Sequence, residues 1–423
     1  MSRLRSTRHL GEWVVEAIRL FKSLNRDQRN TFVACFLGWA LDAFDFFLLT
    51  FVIGAMAQDF GTSIAKLTYA ITLTLAMRPV GAFIFGLLGD RFGRRLPLMI
   101  DIIFYSVMEL LTAFSPNYTM LLIFRALYGI GMGGEWGLGA SLAMEMLPTK
   151  ARGLFSGILQ QGYAFGYLLA ALVYWLVFPR FGWRGLFVVG TLPAVLVIFI
   201  RARVPESPAW LRQKSTNNFW PNLGKTLRQH WLLFLYVILL MTAFNAMSHG
   251  TQDMYQTFLG EQRGLGVSQK STIGIIYAFG AICGGTIIGH LSQRFGRRRC
   301  IIFSAALGIV LIPLWVFSPS LSLLVIGGFG MQFMVQGAWG IVPVHLNELS
   351  PGELRGTFPG FAYQLGNLLA ANTAVVEAKL AEHFRDSSGH PDYAKALALF
   401  ALVIFVALIV IAAIGREERG KEF

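Results

Sequence analysis

Three residues at helical spacing, Asn245, His249 and Asp253, sit inside the stretch NAMSHGTQD, which follows the apolar run WLLFLYVILLMTAF. Successive i,i+4 neighbours on a helix are close enough to hydrogen-bond. An imidazole beside a carboxylate can take up and release a proton near neutral pH, because the carboxylate favours the charged ring and burial opposes it. Placed at about 100° per residue, Asn245, Ser248, His249, Gln252, Asp253 and Gln256 occupy an arc of about 140°, with Thr251 outside it. Such a stripe must face the interior of a bundle or a water-filled cavity. A polar cluster that merely glues helices together is the plainer alternative.

The second kind of chemistry is anion binding. Arg78 lies eleven residues before Gly89 in an apolar run, about 16 Å from that run's end at helical rise. A guanidinium at that depth needs a carboxylate, supplied either by a substrate or by the protein, and its fork can hold both oxygens. Asp45 and Glu135 are the protein's own candidates; with His249 and Asp253 they are also candidate proton carriers. Arg125 reads as structural or as part of proton transfer. Asp42, Asp101 and Glu109 carry no assignment, nor do Glu377 and Lys379 near the end of a later run.

These residues need long apolar helices to hold them. Of the 423 residues 55% are hydrophobic and only 14% charged, against about 25% in soluble domains. A bilayer span takes about 20 mainly apolar residues. Spans are expected over 31–57, 67–89, 96–114, 118–146, 153–178 and 184–200, then over 231–258, 271–291, 300–317, 321–347, 358–381 and 394–414. The prediction is an all-α integral membrane protein with twelve transmembrane helices in two six-helix bundles, 31–201 and 231–414. Residues 1–30 form an N-terminal segment, in which 11–21 could make an amphipathic helix, 202–230 a linker with Pro205, Pro208 and Pro221, and 415–423 a tail.

Lys and Arg set the orientation. With segments 1–30, 202–230 and 415–423 on the cytoplasmic side, 26 of the 36 basic residues lie there. The net charge of +13 is thereby explained without nucleic acid. Cys35, Cys283 and Cys300 lie in or beside apolar runs and read as small fillers. No His-Glu metal spacing and no Ser-His or Cys-His pairing suggests an enzyme; no metal or cofactor is expected.

The chain repeats itself at one offset. GDRFGRR (89–95) matches SQRFGRR (292–298), EMLPTKARG (145–153) matches ELSPGELRG (348–356), and GEWG (134–137) matches GAWG (337–340), all 203 residues apart. Gln161 and Gln364 fall in step. Parallel repeats of this kind build transporters whose site lies between the halves near the midplane. At the same offset His249 answers to Phe46 and Asn245 to Asp42, so the histidine belongs to one half only.

GLLGDRFGRRL (86–96) and RALYGIGMGGEWG (125–137) resemble the loop and fourth-helix motifs of the major facilitator superfamily. The resemblance implies two rocking six-helix bundles in which a monomer suffices. A cytoplasmic gate is expected from Asp90, Arg91, Arg94, Glu145, Arg152, Glu348 and Arg355; Gln293 replaces the acid in the second copy and should weaken that half. NAMSHGTQDMYQT resembles the seventh-helix motif of the lactate/pyruvate–proton symporters, and YQLGN (363–367) their eleventh-helix Gln and Asn pair. Gln256 stands where they often carry Pro. GWALDAFDFFLL (38–49) is similar to the first helix of a wider group that includes sialic acid–proton symporters.

The resemblance implies a monocarboxylate held by Arg78, Asn245, Gln252, Gln364 and Asn367. The coupling ion would be a proton handled by His249, Asp253, Glu135 and Asp45. It also implies a bacterial-type inner membrane with both termini cytoplasmic. A sialic acid symporter is the alternative, although 202–230 leaves no room for extra spans. A transporter-like sensor is a weaker one, for neither terminus holds a signalling domain.

Overall fold

The computed structural model describes residues 16, 18–213, 219–385 and 389–423. Most of the amphipathic helix expected over 11–21, and part of the linker expected over 202–230, lie outside them. The regular structure among the described residues is helical, apart from one isolated bridge between Arg385 and Pro391. Lipid offers backbone groups no partners, so crossing segments must satisfy their hydrogen bonds internally.

In the first half the helices are α1 (Arg26–Asp59), α2 (Ile64–Phe92), α3 (Arg95–Ala113), α4 (Tyr118–Met146), α5 (Arg152–Gln160), α6 (Gly162–Val189) and α7 (Pro193–Arg203). A short α8 (Pro208–Gln213) follows. In the second half they are α9 (Phe219–Gln252), α10 (Tyr255–Thr257), a π-helical turn (Phe258–Gln262), α11 (Val267–Phe295), α12 (Arg297–Val316), α13 (Leu321–Trp339), α14 (Val342–Leu349), α15 (Phe358–Ala370), α16 (Thr373–His383) and α17 (Tyr393–Ile414). α9 covers Phe219–Gln252 and so takes in the end of the stretch read as linker.

Twelve crossings result, because several are broken into pairs: α5 with the first part of α6, the rest of α6 with α7, α13 with α14, and α15 with α16. Gly182, at φ 62°, makes the turn inside α6 between the fifth and sixth. Among the described residues, nine stretches are long and apolar enough to cross by composition alone. One of them, Arg152–Arg203, holds two crossings. The helix carrying Arg125, Glu135 and Glu145, and the broken α15–α16 pair, are not among these nine.

Side-chain caps mark several starts: Asn25 and Gln28 form a reciprocal capping box, and Ser63, Asn117, Ser320 and Asp392 each accept from a first-turn amide. The repeat holds in three dimensions. Gly93 (φ 98°) and Gly296 (φ 101°), 203 residues apart, turn the chain from α2 into α3 and from α11 into α12 in the left-handed region only glycine enters freely. Across the halves, α2, α4 and α5 pack against α11, α14 and α15. Gly137 and Gly360 let α4 and α15 touch backbone to backbone: a Cβ on Gly137 would stand 2.8 Å from the Gly360 Cα.

Candidate functional site

The gate-loop end of the molecule is built from two copies of one ion pair. Arg94 bonds Glu145 at 3.0 Å and Asp90 at 2.9 Å. Its counterpart Arg297 bonds Glu348 at 3.0 Å and the Gln293 amide oxygen at 2.7 Å. Burial works against the charge on Arg94, but Glu145 and Asp90 outweigh it and raise its pKa above the usual arginine value. Glu206 caps the α3 amides of Arg94 and Arg95, as Glu417 caps those of Arg297 and Arg298. Arg297 was not among the expected gate residues, although Arg94 displaced by 203 points to it.

Contacts between the halves gather at this end. Asp90 accepts from the amides of Gly356 (2.6 Å) and Thr357 (3.0 Å) and from the Thr357 hydroxyl (2.6 Å), at the start of α15. A carboxylate there meets unsatisfied amides and the positive end of the helix. Arg355 reaches Glu145 at 3.5 Å, Ser141 donates to the Arg355 carbonyl, and Ser156 links α5 to Gly340 and Val344. Two gate expectations differ in detail. Arg152 bonds carbonyls of Leu147 and Lys421 and lies over the Phe423 ring, with no ion pair within 4 Å among the described residues. Arg91 lies beside the Phe92 ring, outside the network. Arg91 projects away because only one face of the α2 end meets the other half.

Removing one partner of a buried, hydrogen-bonded charge costs about 2–5 kcal/mol. Asp90→Ala is therefore expected to shift the gate toward its open form by about thirtyfold or more. Labelling of Gln160→Cys by an impermeant maleimide, in a chain with its three native cysteines replaced, checks this; unchanged labelling would contradict it.

Deeper in the first half, Arg125 pairs with Glu109 and bonds Thr112 at 2.9 Å, stacked 4.2 Å from the Tyr128 ring centroid. Glu109, which carried no assignment, is thus the ion-pair partner of Arg125. Asp45 lies near this pair, buried, with neither oxygen hydrogen-bonded. Glu135, Asp42 and Asp101 are likewise buried without partners.

Arg78 is 4% exposed, and its Nε and Nη2 have no hydrogen-bond partner among the described residues. Asp42 and Glu135 are close enough for their charges to act on it, yet neither pairs with it within 4 Å among the described residues. From the other half Tyr363 of α15 meets it. Gln364, next along α15, is buried with both amide atoms unpartnered. One helical turn on, Asn367 Oδ1 lies 3.2 Å from His249 Nε2, and His249 Nδ1 lies 3.0 Å from Asp253 Oδ2. The guanidinium and the imidazole–carboxylate pair thus flank one turn of α15, about 5 Å in rise.

The polar stripe divides into two edges. His249 and Asp253 remain 38% and 39% exposed despite their depth, and Asp253 faces Tyr163 of the first half. Gln252 turns into its own bundle, where its amide donates to Ser248 (3.0 Å) and Gln332 (3.2 Å). Gln332 also donates to Thr251, and Asn245 donates to the Met241 carbonyl, leaving its oxygen free of that bond. Sequence reasoning missed Gln332 and Tyr363, whose partners lie on other helices. Near Gln256 the helix is interrupted and resumes as a π-helical turn, even without proline. Among the described residues no group of His, Cys, Asp and Glu could hold a metal.

The model of the sugar (and other) transporter family matches residues 30–218, and that of the major facilitator superfamily matches residues 238–423. A probable 4-methylmuconolactone transporter of Cupriavidus pinatubonensis is 30% identical, covering 95% of this chain and 93% of its own length. A carboxylic acid transporter protein homolog of Saccharomyces cerevisiae is 29% identical over the whole chain and 74% of its own length. A sialic acid transporter of Escherichia coli is 27% identical over 95% of this chain and 97% of its own. The fold is similar to that of a proton:xylose symporter, with a TM-score of 0.74 at 18% identity over 93% of this chain and 97% of that one.

Proposed function

The chain belongs to the major facilitator superfamily, as a transporter and not an enzyme, and we propose that it carries a small monocarboxylate of the lactate or pyruvate type together with a proton. The observation that carries this reading is Arg78, a buried guanidinium with two unpartnered nitrogens, one turn of α15 away from the His249–Asp253 pair. A carboxylate arriving there replaces the missing acceptors, and a bidentate bond is the strongest a guanidinium makes. Gln364, Asn367 and the Asn245 oxygen offer bonds to a hydroxyl or keto group beside the carboxylate.

The proton sits on His249 and Asp253, with Glu135 and Asp45 available as carboxyls on the facing half. One anion moving with one proton is neutral and avoids the work of crossing the membrane potential. With the gate-loop end closed and His249 and Asp253 still exposed, access is from the opposite end. Rocking the halves breaks the Asp90, Ser141 and Arg355 contacts and opens the gate-loop end. The positive-inside bias supports a cytoplasmic position for that end and both termini; the reading includes a bacterial-type inner membrane and a working monomer.

Sialic acid is the second reading, favoured by the 27% identical sialic acid transporter. Uptake of radiolabelled lactate into proteoliposomes, challenged with pyruvate, acetate, sialic acid, niacin and 4-methylmuconolactone at two pH values, separates the readings. Competition by pyruvate with faster uptake at the lower pH is expected. Competition by sialic acid alone, or uptake indifferent to an inward proton gradient, would sink the lactate reading.

A further inference from the structure

We propose that Glu377 is a second carboxyl of the proton pathway, passing protons between Asp253 and the end of the bundle opposite the gate loops. The inference rests on the symport reading above and adds a residue to it.

α16 begins after the break that follows α15, and Glu377 is in its second turn. The side chain is 1% exposed, and both carboxyl oxygens are buried without a hydrogen-bond partner. Six residues separate it from the α16 terminus at His383, about 9 Å at helical rise. It points at the α9 backbone: Oε1 would stand 3.3 Å from a Cβ on Gly250, so glycine at that position leaves it room. Gly250 directly follows His249 and precedes Asp253 by three residues.

The groups around Glu377 come from four helices. From α9, Asp253 is near enough for the two carboxyl charges to act on each other. From α11, Tyr277 faces it, but the Tyr277 hydroxyl is already bonded to the Thr251 carbonyl. From α17, the Phe400 ring closes the other side of Gly250. On its own helix, Lys379 is exposed and turned away.

A carboxylate buried away from water is held by a cation, by hydrogen-bond donors, or by a proton. Among the described residues Glu377 has neither of the first two, which leaves the proton. Two neighbouring carboxyls cannot both ionise cheaply and therefore share a proton. The step is a transfer only: a proton binds a Glu377 oxygen from the outer side and then moves to the Asp253–His249 pair. Glu377 is left as a carboxylate until the next proton arrives.

The test uses the full chain in proteoliposomes with an entrapped pH dye, L-lactate as the probe and no imposed pH gradient. In the unmodified chain an inward lactate gradient should carry protons in. Glu377→Gln is expected to cut that proton flux by about tenfold or more, while lactate–lactate exchange at equal pH stays within about twofold. Equal proton flux in the variant overturns the proposal, and so does parallel loss of exchange and flux in a well-folded variant, which assigns Glu377 a structural role. If Glu377→Gln does not fold, Glu377→Asp decides: a displaced pH profile of uptake supports the proposal, and an unchanged profile overturns it. An unmodified chain that moves no protons with any acid of the competition series fails the symport reading, and the proposal falls with it.

Discussion

Arg78→Ala should lower affinity for the transported acid by about 100-fold, and Arg78→Lys by about tenfold. The first figure converts to about 2.7 kcal/mol, within the range of about 2–5 kcal/mol for cutting one partner from a buried, hydrogen-bonded charge pair. A guanidinium 4% exposed with Nε and Nη2 unpartnered among the described residues has two donors open to a substrate. Asp42 and Glu135 lie near it without occupying its fork. Lysine retains the charge but offers a point donor in place of a planar fork, so it keeps part of the binding. Binding of labelled acid to the purified protein reads this out directly. Near-equal affinity in Arg78→Ala would make Arg78 a structural partner of the neighbouring carboxyls.

The second large effect concerns coupling. For one-to-one symport of a proton with a monocarboxylate, the accumulation ratio rises about tenfold for each pH unit of imposed gradient, since one unit is worth about 1.4 kcal/mol. In Asp253→Asn and His249→Ala that ratio should fall to about one, at equal external acid, because the proton no longer has a site linked to the substrate. Facilitated exchange should survive in Asp253→Asn, whose amide still reaches the ring. Asn367 ties the imidazole to α15, the helix that also presents Tyr363 to Arg78. Protonation of the ring and arrival of the anion therefore act on one helix. A variant of His249 that still accumulates acid in proportion to the pH gradient would move the proton site to Asp45, Asp42 or Glu135 in the first half.

The glycine pair at the inter-bundle seam sets a limit on the movement invoked for both effects. Because Gly137 and Gly360 meet without side chains, the halves come close enough for Asp90 to reach the α15 amides. Closing the gate loops and presenting α15 to Arg78 are then two results of one approach.

Much of this was legible in the residues. Apolar runs long enough to span, the offset of 203 and the sided distribution of Lys and Arg predict two six-helix halves, because lipid forces each crossing to be helical and apolar over its own length. The arc of Asn245, His249 and Asp253 follows from helical geometry alone. Asp90 is expected in the gate, and it joins Arg94 to the amides at the start of α15. Arg125 reads as structural or as part of proton transfer, and its pairing with Glu109 is compatible with either.

What local pattern could not supply was the identity of partners across helices. The wheel put Gln252 and His249 on one stripe, yet packing of α13 against α9 draws Gln252 to Gln332 and leaves His249 to Asn367. Arg91 and Arg94 lie three residues apart in one motif, and only Arg94 turns toward Glu145. Whether Arg78 was satisfied by Asp45 or Glu135 stayed open until the rotation of α1 and α4 about their axes was known. Hydropathy and helical period act within one segment, so the sequence alone determined the spans, their repeat and their polar faces. Pairing depends on how segments remote in the chain are turned toward one another, and only the tertiary structure decided which buried charges are spent and which remain free.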